Sequence, residues 1–106
     1  MDKYVELFQL NNYKVSKQST KSTEFEHNET GEVIYLLPNK ELTIILDPKK
    51  IEGNSMLEEK TSGLIHNTSF NAFPKRKHTG KELIQYGYGF KFQSEEELQS
   101  FLVILN

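Results

Sequence analysis

Ten consecutive residues, Leu83–Phe92, alternate in polarity, and this pattern constrains the fold more than any other part of the chain. Successive side chains of a β-strand point to opposite faces of a sheet. One predicted face therefore carries the large side chains, namely Ile84, Tyr86, Tyr88, Phe90 and Phe92. The other predicted face carries Gln85, Gly87, Gly89 and Lys91. A strand with one apolar face is typical of an antiparallel sheet that is covered on that side only.

Helices are predicted at both ends of the chain. Within residues 2–13, helical spacing is shown by Tyr4, Leu7, Phe8 and Asn11. Ser94 and Glu97 form a capping box, a pattern in which two side chains satisfy free backbone N–H groups at a helix start. The apolar positions that follow share one helical face, and they are Leu98, Phe101, Leu102 and Leu105. The two helices can cover one side of the predicted sheet.

The strands between these helices are predicted from turn signals. Two runs, 23–27 and 32–37, flank an Asn- and Gly-containing link and predict a hairpin. A strand at 41–46 ends before Pro48, and another is predicted at 64–73. Residues 49–61 suggest a short irregular helix, and 14–23 a mobile connection or a loosely held edge strand.

The predicted fold class is α+β, in the order α-β-β-β-(α)-β-β-α. It has an antiparallel sheet of about five strands, with an N-terminal and a C-terminal helix packed on one face. A chain of 106 residues has the size of one domain, so 1–106 is predicted to be a single domain.

Composition excludes several kinds of site. The absence of cysteine rules out disulfides, thiolate nucleophiles and Cys-based metal sites. We expect no cofactor, because the glycine motifs that bind phosphates or dinucleotides are missing. The N-terminal residues lack the apolar run of a signal peptide, so a cytoplasmic location without membrane association is expected.

Charge is distributed unevenly along the chain. Residues 60–93 carry six Lys or Arg against one Glu, giving +5, although the whole chain has a net charge of −2. Most of this positive charge lies in a predicted turn at 74–81, which contains Lys75, Arg76, Lys77, His78 and Lys81. Such a cluster is typical of surfaces that contact phosphates.

The aromatic strand beside this turn offers a second feature of nucleic-acid binding. Exposed Tyr86 and Tyr88 could stack on unpaired bases. The leading hypothesis is therefore a non-enzymatic nucleic-acid-binding module that uses the basic turn and these tyrosines. The simpler interpretation is that the rings form the core face of the sheet, and that the lysines are solvated charges that protect an edge.

A protein-interaction partner is the alternative hypothesis, for instance a stand-alone inhibitor, an antitoxin-like protein or an accessory subunit of a phage or defence system. It would dock through its acidic N-terminal half or through the basic turn. An exposed apolar patch beside the acidic half would favour this alternative, whereas exposed tyrosines beside the basic turn would favour nucleic acid. The sequence leaves open whether the partner is DNA, RNA or protein.

A metal-dependent nuclease is the third hypothesis, and the sequence supports it only weakly. Asp47, Glu58 and Lys60 imitate the Asp…Glu-x-Lys pattern in which two carboxylates hold a metal against a phosphate. The Glu-x-Lys part should lie in a central strand, whereas residues 56–61 suggest a helix or loop. His27, His66 and His78 fit no local metal-binding spacing. An enzymatic function therefore has little support.

Overall fold

The computed structural model describes residues 2–78, 80 and 82–106. In chain order, its elements are α1 (Asp2–Leu10), β1 (Tyr13–Gln18), β2 (Thr23–His27), β3 (Val33–Leu36), β4 (Leu42–Leu46), α2 (Pro48–Ile51), α3 (Ser55–Lys60), β5 (Gly63–His66), β6 (Lys75–Lys77), β7 (Leu83–Phe92) and α4 (Glu95–Leu105). The predicted α+β class is confirmed, with a helix at each end of an antiparallel sheet.

Local hydrogen bonds explain where the two terminal helices begin and end. The chain leaves α1 through Asn12, whose φ of 75° is the left-handed conformation that commonly stops a helix. At the start of α4, the Ser94 hydroxyl accepts a hydrogen bond from the Glu97 N–H at 3.2 Å. The Glu97 carboxylate in turn accepts the N–H of Gln93 at 2.8 Å. The predicted capping box is present, with its return bond shifted by one residue from Ser94 to Gln93.

Within the residues that the structure describes, seven strands form the sheet, two more than the roughly five that the sequence predicts. Its path runs β1-β2-β3-β4-β7-β5, all pairs are antiparallel, and β6 pairs with the outer end of β7. The additional strands lie where the sequence suggests a loose edge and a basic turn. Both are rich in Lys or Ser, which have low strand propensity, so their strand structure depends on pairing with β2 and β7.

The sheet has a different cover on each face. One face packs against the helices and forms the main core, in which Phe8 of α1 stacks on Phe25 of β2 with ring centroids 4.0 Å apart. The other face is covered by the β5–β6 connection, which places Phe70 and Phe73 against Tyr35 of β3. The central strand β4 is buried along its whole length because it lies between these two layers.

The short helix expected within residues 49–61 is present as α3, and a second short helix, α2, precedes the break at Gly53 and Asn54. Each begins at a capping residue, Asp47 for α2 and Asn54 for α3. One prediction for the middle of the chain needs correction. The strand predicted at 64–73 ends at His66, because Asn67 begins a turn. The Asn67 side chain accepts the N–H of Ser69 at 2.9 Å, and its carbonyl accepts that of Phe70 at 3.1 Å.

None of the helices that the structure describes is long and apolar enough to cross a membrane.

Candidate functional site

The strand β6 divides the basic run between two faces of the sheet. Arg76 pairs with Ile84 of β7, while Lys75 and Lys77 pair with Gln85 and Leu83. Directly paired residues of an antiparallel ladder project to the same face, and neighbours along a strand project to opposite faces. Arg76 therefore lies on the face that carries the β7 rings, and the two lysines lie on the other face.

Four planar side chains meet at the outer end of that face, and we call them the ring cluster: His66, His78, Tyr86 and Arg76. The imidazoles of His66 and His78 are stacked, with centroids 4.1 Å apart and an interplanar angle of 20°. The rings of His66 and Tyr86 are also close to parallel, with centroids 5.9 Å apart. The Arg76 guanidinium lies over the Tyr86 ring, 5.3 Å from its centroid. Each planar group thus contacts the next.

Exposure differs along the ring cluster. Arg76 and His78, the two ends of this series of contacts, are exposed, whereas His66 and Tyr86 in the middle are partly buried. Solvent therefore reaches the ring cluster mainly at its two ends.

His66 is held in an environment that disfavours its charged form. Burial, followed by the neighbouring His78 and Arg76, lowers the pKa of His66 below its ordinary value of 6.5. Its Nε2 is buried and has no hydrogen-bond partner among the described residues. Two positively charged imidazoles beside a guanidinium would repel one another, so His66 is neutral in the free protein at neutral pH.

Tyr88 lies on the same face as Tyr86, but closer to the core. Its ring packs against the main hydrophobic cluster, and its hydroxyl donates to a carboxylate oxygen of Glu52 at 3.2 Å. Burial and this hydrogen bond raise the pKa of Tyr88. Phe90, two residues further along β7, is 2% exposed and packs on Phe101 of α4. The aromatic face therefore changes from core to surface along the strand.

The structure brings together three of the residues singled out in the sequence, namely Arg76, His78 and Tyr86. It places Lys75 and Lys77 on the opposite face. Lys81 lies outside the described residues. His66 also belongs to the cluster, although its spacing from His27 and His78 in the sequence indicates no shared site. Its place depends on the pairing of β5 with β7, in which His66 is opposite Tyr86, and no local pattern specifies that register.

The residues of the nuclease hypothesis have local structural roles. A side-chain oxygen of Asp47 caps α2 by accepting the N–H of Lys49 at 2.9 Å. The Glu58 carboxylate accepts the N–H of Gly53 at 3.0 Å. Glu58 and Lys60 lie in helix α3, whereas the nuclease pattern requires a strand. These contacts account for Asp47 and Glu58 without a metal.

The hydrogen bonds of His27 connect it to residues outside the ring cluster. Its Nδ1 accepts the backbone N–H groups of Glu29 and Thr30, at 3.2 and 3.3 Å. This fixes the proton on Nε2, which therefore donates to the Asn106 side chain at 2.8 Å. Within the described parts of the chain, no group of three or more His, Asp or Glu side chains could hold a metal ion.

Exposed apolar side chains are found on α4. Val103 and Ile104 are 57% and 54% exposed, and Ile104 lines an open groove of about 470 Å³ together with Phe92 and Phe101. Charges of both signs border this groove, for example Lys60 and Glu96. A surface of mixed charge does not favour a polyanion.

The chain matches no family model, no curated protein and no solved structure in the comparisons made.

Proposed function

We propose that this chain is a non-enzymatic nucleic-acid-binding module whose contact surface is the ring cluster. The observation that carries this proposal is the placement of the Arg76 guanidinium over Tyr86, on the same exposed face as two stacked histidines. A guanidinium can pair with a phosphate through two N–H groups while its plane stacks on a ring. Aromatic rings at the same place can stack on bases.

The local charge supports a polyanionic partner. Lys75 and Lys77 are exposed and flank Arg76 along β6. Although they project to the opposite face, they raise the positive potential around the outer end of β7 and would attract a polyanion. The surplus of +5 over residues 60–93 is local, since the chain as a whole is acidic. A local surplus of this kind suits a bounded contact site better than general coating of DNA.

Binding can be tested by titrating fluorescently labelled oligonucleotides with the protein at low salt. The test variant is Lys75→Ala/Arg76→Ala/Lys77→Ala, which removes three positive charges from β6. We expect the wild type to bind, the affinity to fall as salt is raised, and the variant to lose most of its affinity.

A matched control removes three exposed lysines elsewhere, as Lys14→Ala/Lys17→Ala/Lys40→Ala. Both triple variants change the net charge equally, so a loss confined to the β6 variant identifies the site rather than the overall charge. Equal losses in both variants, or no binding by the wild type, would contradict the proposal. A pull-down from lysate adds a further comparison, because capture that survives nuclease treatment would support a protein partner instead.

A further inference from the structure

We propose that the ring cluster binds an unpaired stretch of nucleic acid in preference to a duplex, and that its bases stack on the exposed planar groups. This inference rests on the proposed nucleic-acid-binding function and specifies the form of the ligand.

The first argument is the shape of the surface. His78, His66, Tyr86 and Arg76 present flat groups in consecutive contact, and the two end members are exposed. An unpaired base has a free face that can continue such a stack. In a duplex the base faces are covered by neighbouring base pairs, so only groove edges and phosphates remain accessible. The flat groups of the cluster would then lack a partner.

The second argument is the distribution of charge. Duplex binding is dominated by several Lys or Arg side chains that contact phosphates along one surface. Among the described basic residues of β6, only Arg76 lies on the face of the ring cluster, because Lys75 and Lys77 project to the other face. The single cation that β6 supplies to this face suits one phosphate of a strand whose bases stack nearby better than the several phosphates of a duplex footprint.

The third argument is the spacing of the rings. Tyr86 and Tyr88 lie two residues apart on one face, a distance of about 6.7 Å along a strand. Leu64 and His66 of β5 lie directly opposite them, and Leu64 is 41% exposed. The cluster therefore continues into a partly apolar surface beside Tyr88.

The test compares a 15-nucleotide single strand with a duplex of the same length, using competition for a labelled oligonucleotide. Oligo-dT and oligo-U are used as separate single strands, so that DNA and RNA are distinguished. We expect single strands to bind about tenfold or more tightly than the duplex. We also expect Tyr86→Leu to weaken single-strand binding about two- to fivefold, because the ring holds Arg76, one exposed end of the cluster, through a cation–π contact.

Two ring-preserving variants serve as matched controls. Tyr86→Phe keeps the ring and is expected to bind within about twofold of the wild type, since stacking requires only the aromatic face. The exposed end of the cluster provides a second pair, His78→Ala and His78→Phe, in which only the alanine variant should lose affinity. Because His78 is exposed, this pair remains informative if Tyr86→Leu fails to fold.

The outcomes separate the two proposals. Duplex binding as tight as single-strand binding, or equal losses in the phenylalanine and leucine variants, would overturn the inference and leave nucleic-acid binding in place. If neither form of nucleic acid binds, both proposals fail. Preferential binding of either single strand, with loss only in the variants that lack a ring, supports the inference.

Discussion

The imidazole rings of His66 and His78 are stacked with their centroids 4.1 Å apart, although His66 is the last residue of β5 and His78 directly follows β6. Among the described residues, neither ring forms an ion pair with an acidic side chain. Burial, followed by His78 and Arg76, lowers the pKa of His66, so the folded state favours the neutral form of this ring.

Stability should for this reason depend on the protonation of His66. Its pKa is lowered in the folded state, so below about pH 6.5 the unfolded chain binds more protons than the folded chain. The contribution of His66 to stability is therefore present above that pH, is lost as the pH falls through it, and levels off below the folded pKa. Urea unfolding of the wild type and of His66→Gln at pH 7.5 and 5.5 measures this effect.

We expect the stability difference between the two pH values to be smaller in His66→Gln than in the wild type. Between pH 7.5 and 8.5, where the imidazole is neutral in both states, the wild type and the variant should respond alike. A pH dependence in the variant as large as that of the wild type would show that His66 is not involved.

A second prediction concerns the two glycines of β7. A Cβ at Gly87 would lie 2.5 Å from Ile45 Cγ2 and 2.7 Å from the Leu46 carbonyl oxygen. A backbone atom cannot move aside easily, so Gly87→Ala should destabilise the fold by about 1–3 kcal/mol, the usual cost of overpacking.

Gly89→Ala is the matched control for this substitution. Its Cβ would meet mainly the terminal Cδ1 of Ile65 at 2.6 Å, the end of a side chain that can change rotamer. We expect thermal unfolding to show a clearly smaller loss for Gly89→Ala than for Gly87→Ala. The reverse order would mean that β4 and β7 are less tightly packed than the structure indicates.

Tyr35 provides a third prediction, on the face away from the helices. Its buried hydroxyl donates to the Glu24 carboxylate and accepts the N–H of Ala72 at 2.9 Å. Burial and the hydrogen bond with Glu24 raise the pKa of Tyr35, so the phenol stays protonated. Tyr35→Phe removes both bonds, one of them to a charged carboxylate, which should lower the free energy of unfolding by about 1–3 kcal/mol.

Tyr88→Phe gives the comparison for this measurement. Among the described residues its hydroxyl bonds to Glu52 alone, at the protein surface, so the free energy of unfolding measured with urea should change by about 0.5 kcal/mol or less. A Tyr35→Phe variant as stable as the wild type would contradict the role assigned to the hydroxyl as the link between β2, β3 and the β5–β6 connection.

Local patterns in the sequence predict part of this fold well. The bounds of β7 agree with the ten alternating residues, and α4 starts where the Ser94 cap indicates. Both signals are local, since alternation and capping depend on residues within one element. The hairpin of β2 and β3 is also predicted from a short turn.

The remaining features depend on contacts between distant parts of the chain. His66 lies opposite Tyr86 because of the register between β5 and β7, and no local pattern in the sequence specifies that register. The separation of Arg76 from its neighbouring lysines follows only once β6 is known to be a strand. Three consecutive basic residues do not favour a strand by themselves, and pairing with Leu83, Ile84 and Gln85 imposes it.

That separation leads to a prediction that distinguishes planar contacts from charge alone. The variant Lys75→Gln/Lys77→Gln removes two charges, whereas Arg76→Gln removes one. If attraction between charges alone determined the affinity, the double lysine variant would bind oligonucleotides more weakly than Arg76→Gln. If the face of the ring cluster binds a single strand, Arg76→Gln should instead have the larger effect, because it loses both the phosphate contact and the stack on Tyr86. For Arg76→Gln, the slope of log affinity against log salt should become shallower by about 0.7, the value for one phosphate contact to a single strand.

Arg76→Lys keeps the charge and should retain the wild-type slope. It should nevertheless bind about two- to fivefold more weakly than the wild type, because an ammonium does not reproduce the flat guanidinium. These values are measured by oligonucleotide titrations at several salt concentrations, and a greater loss in the lysine variant would place the contact on the opposite face of β6.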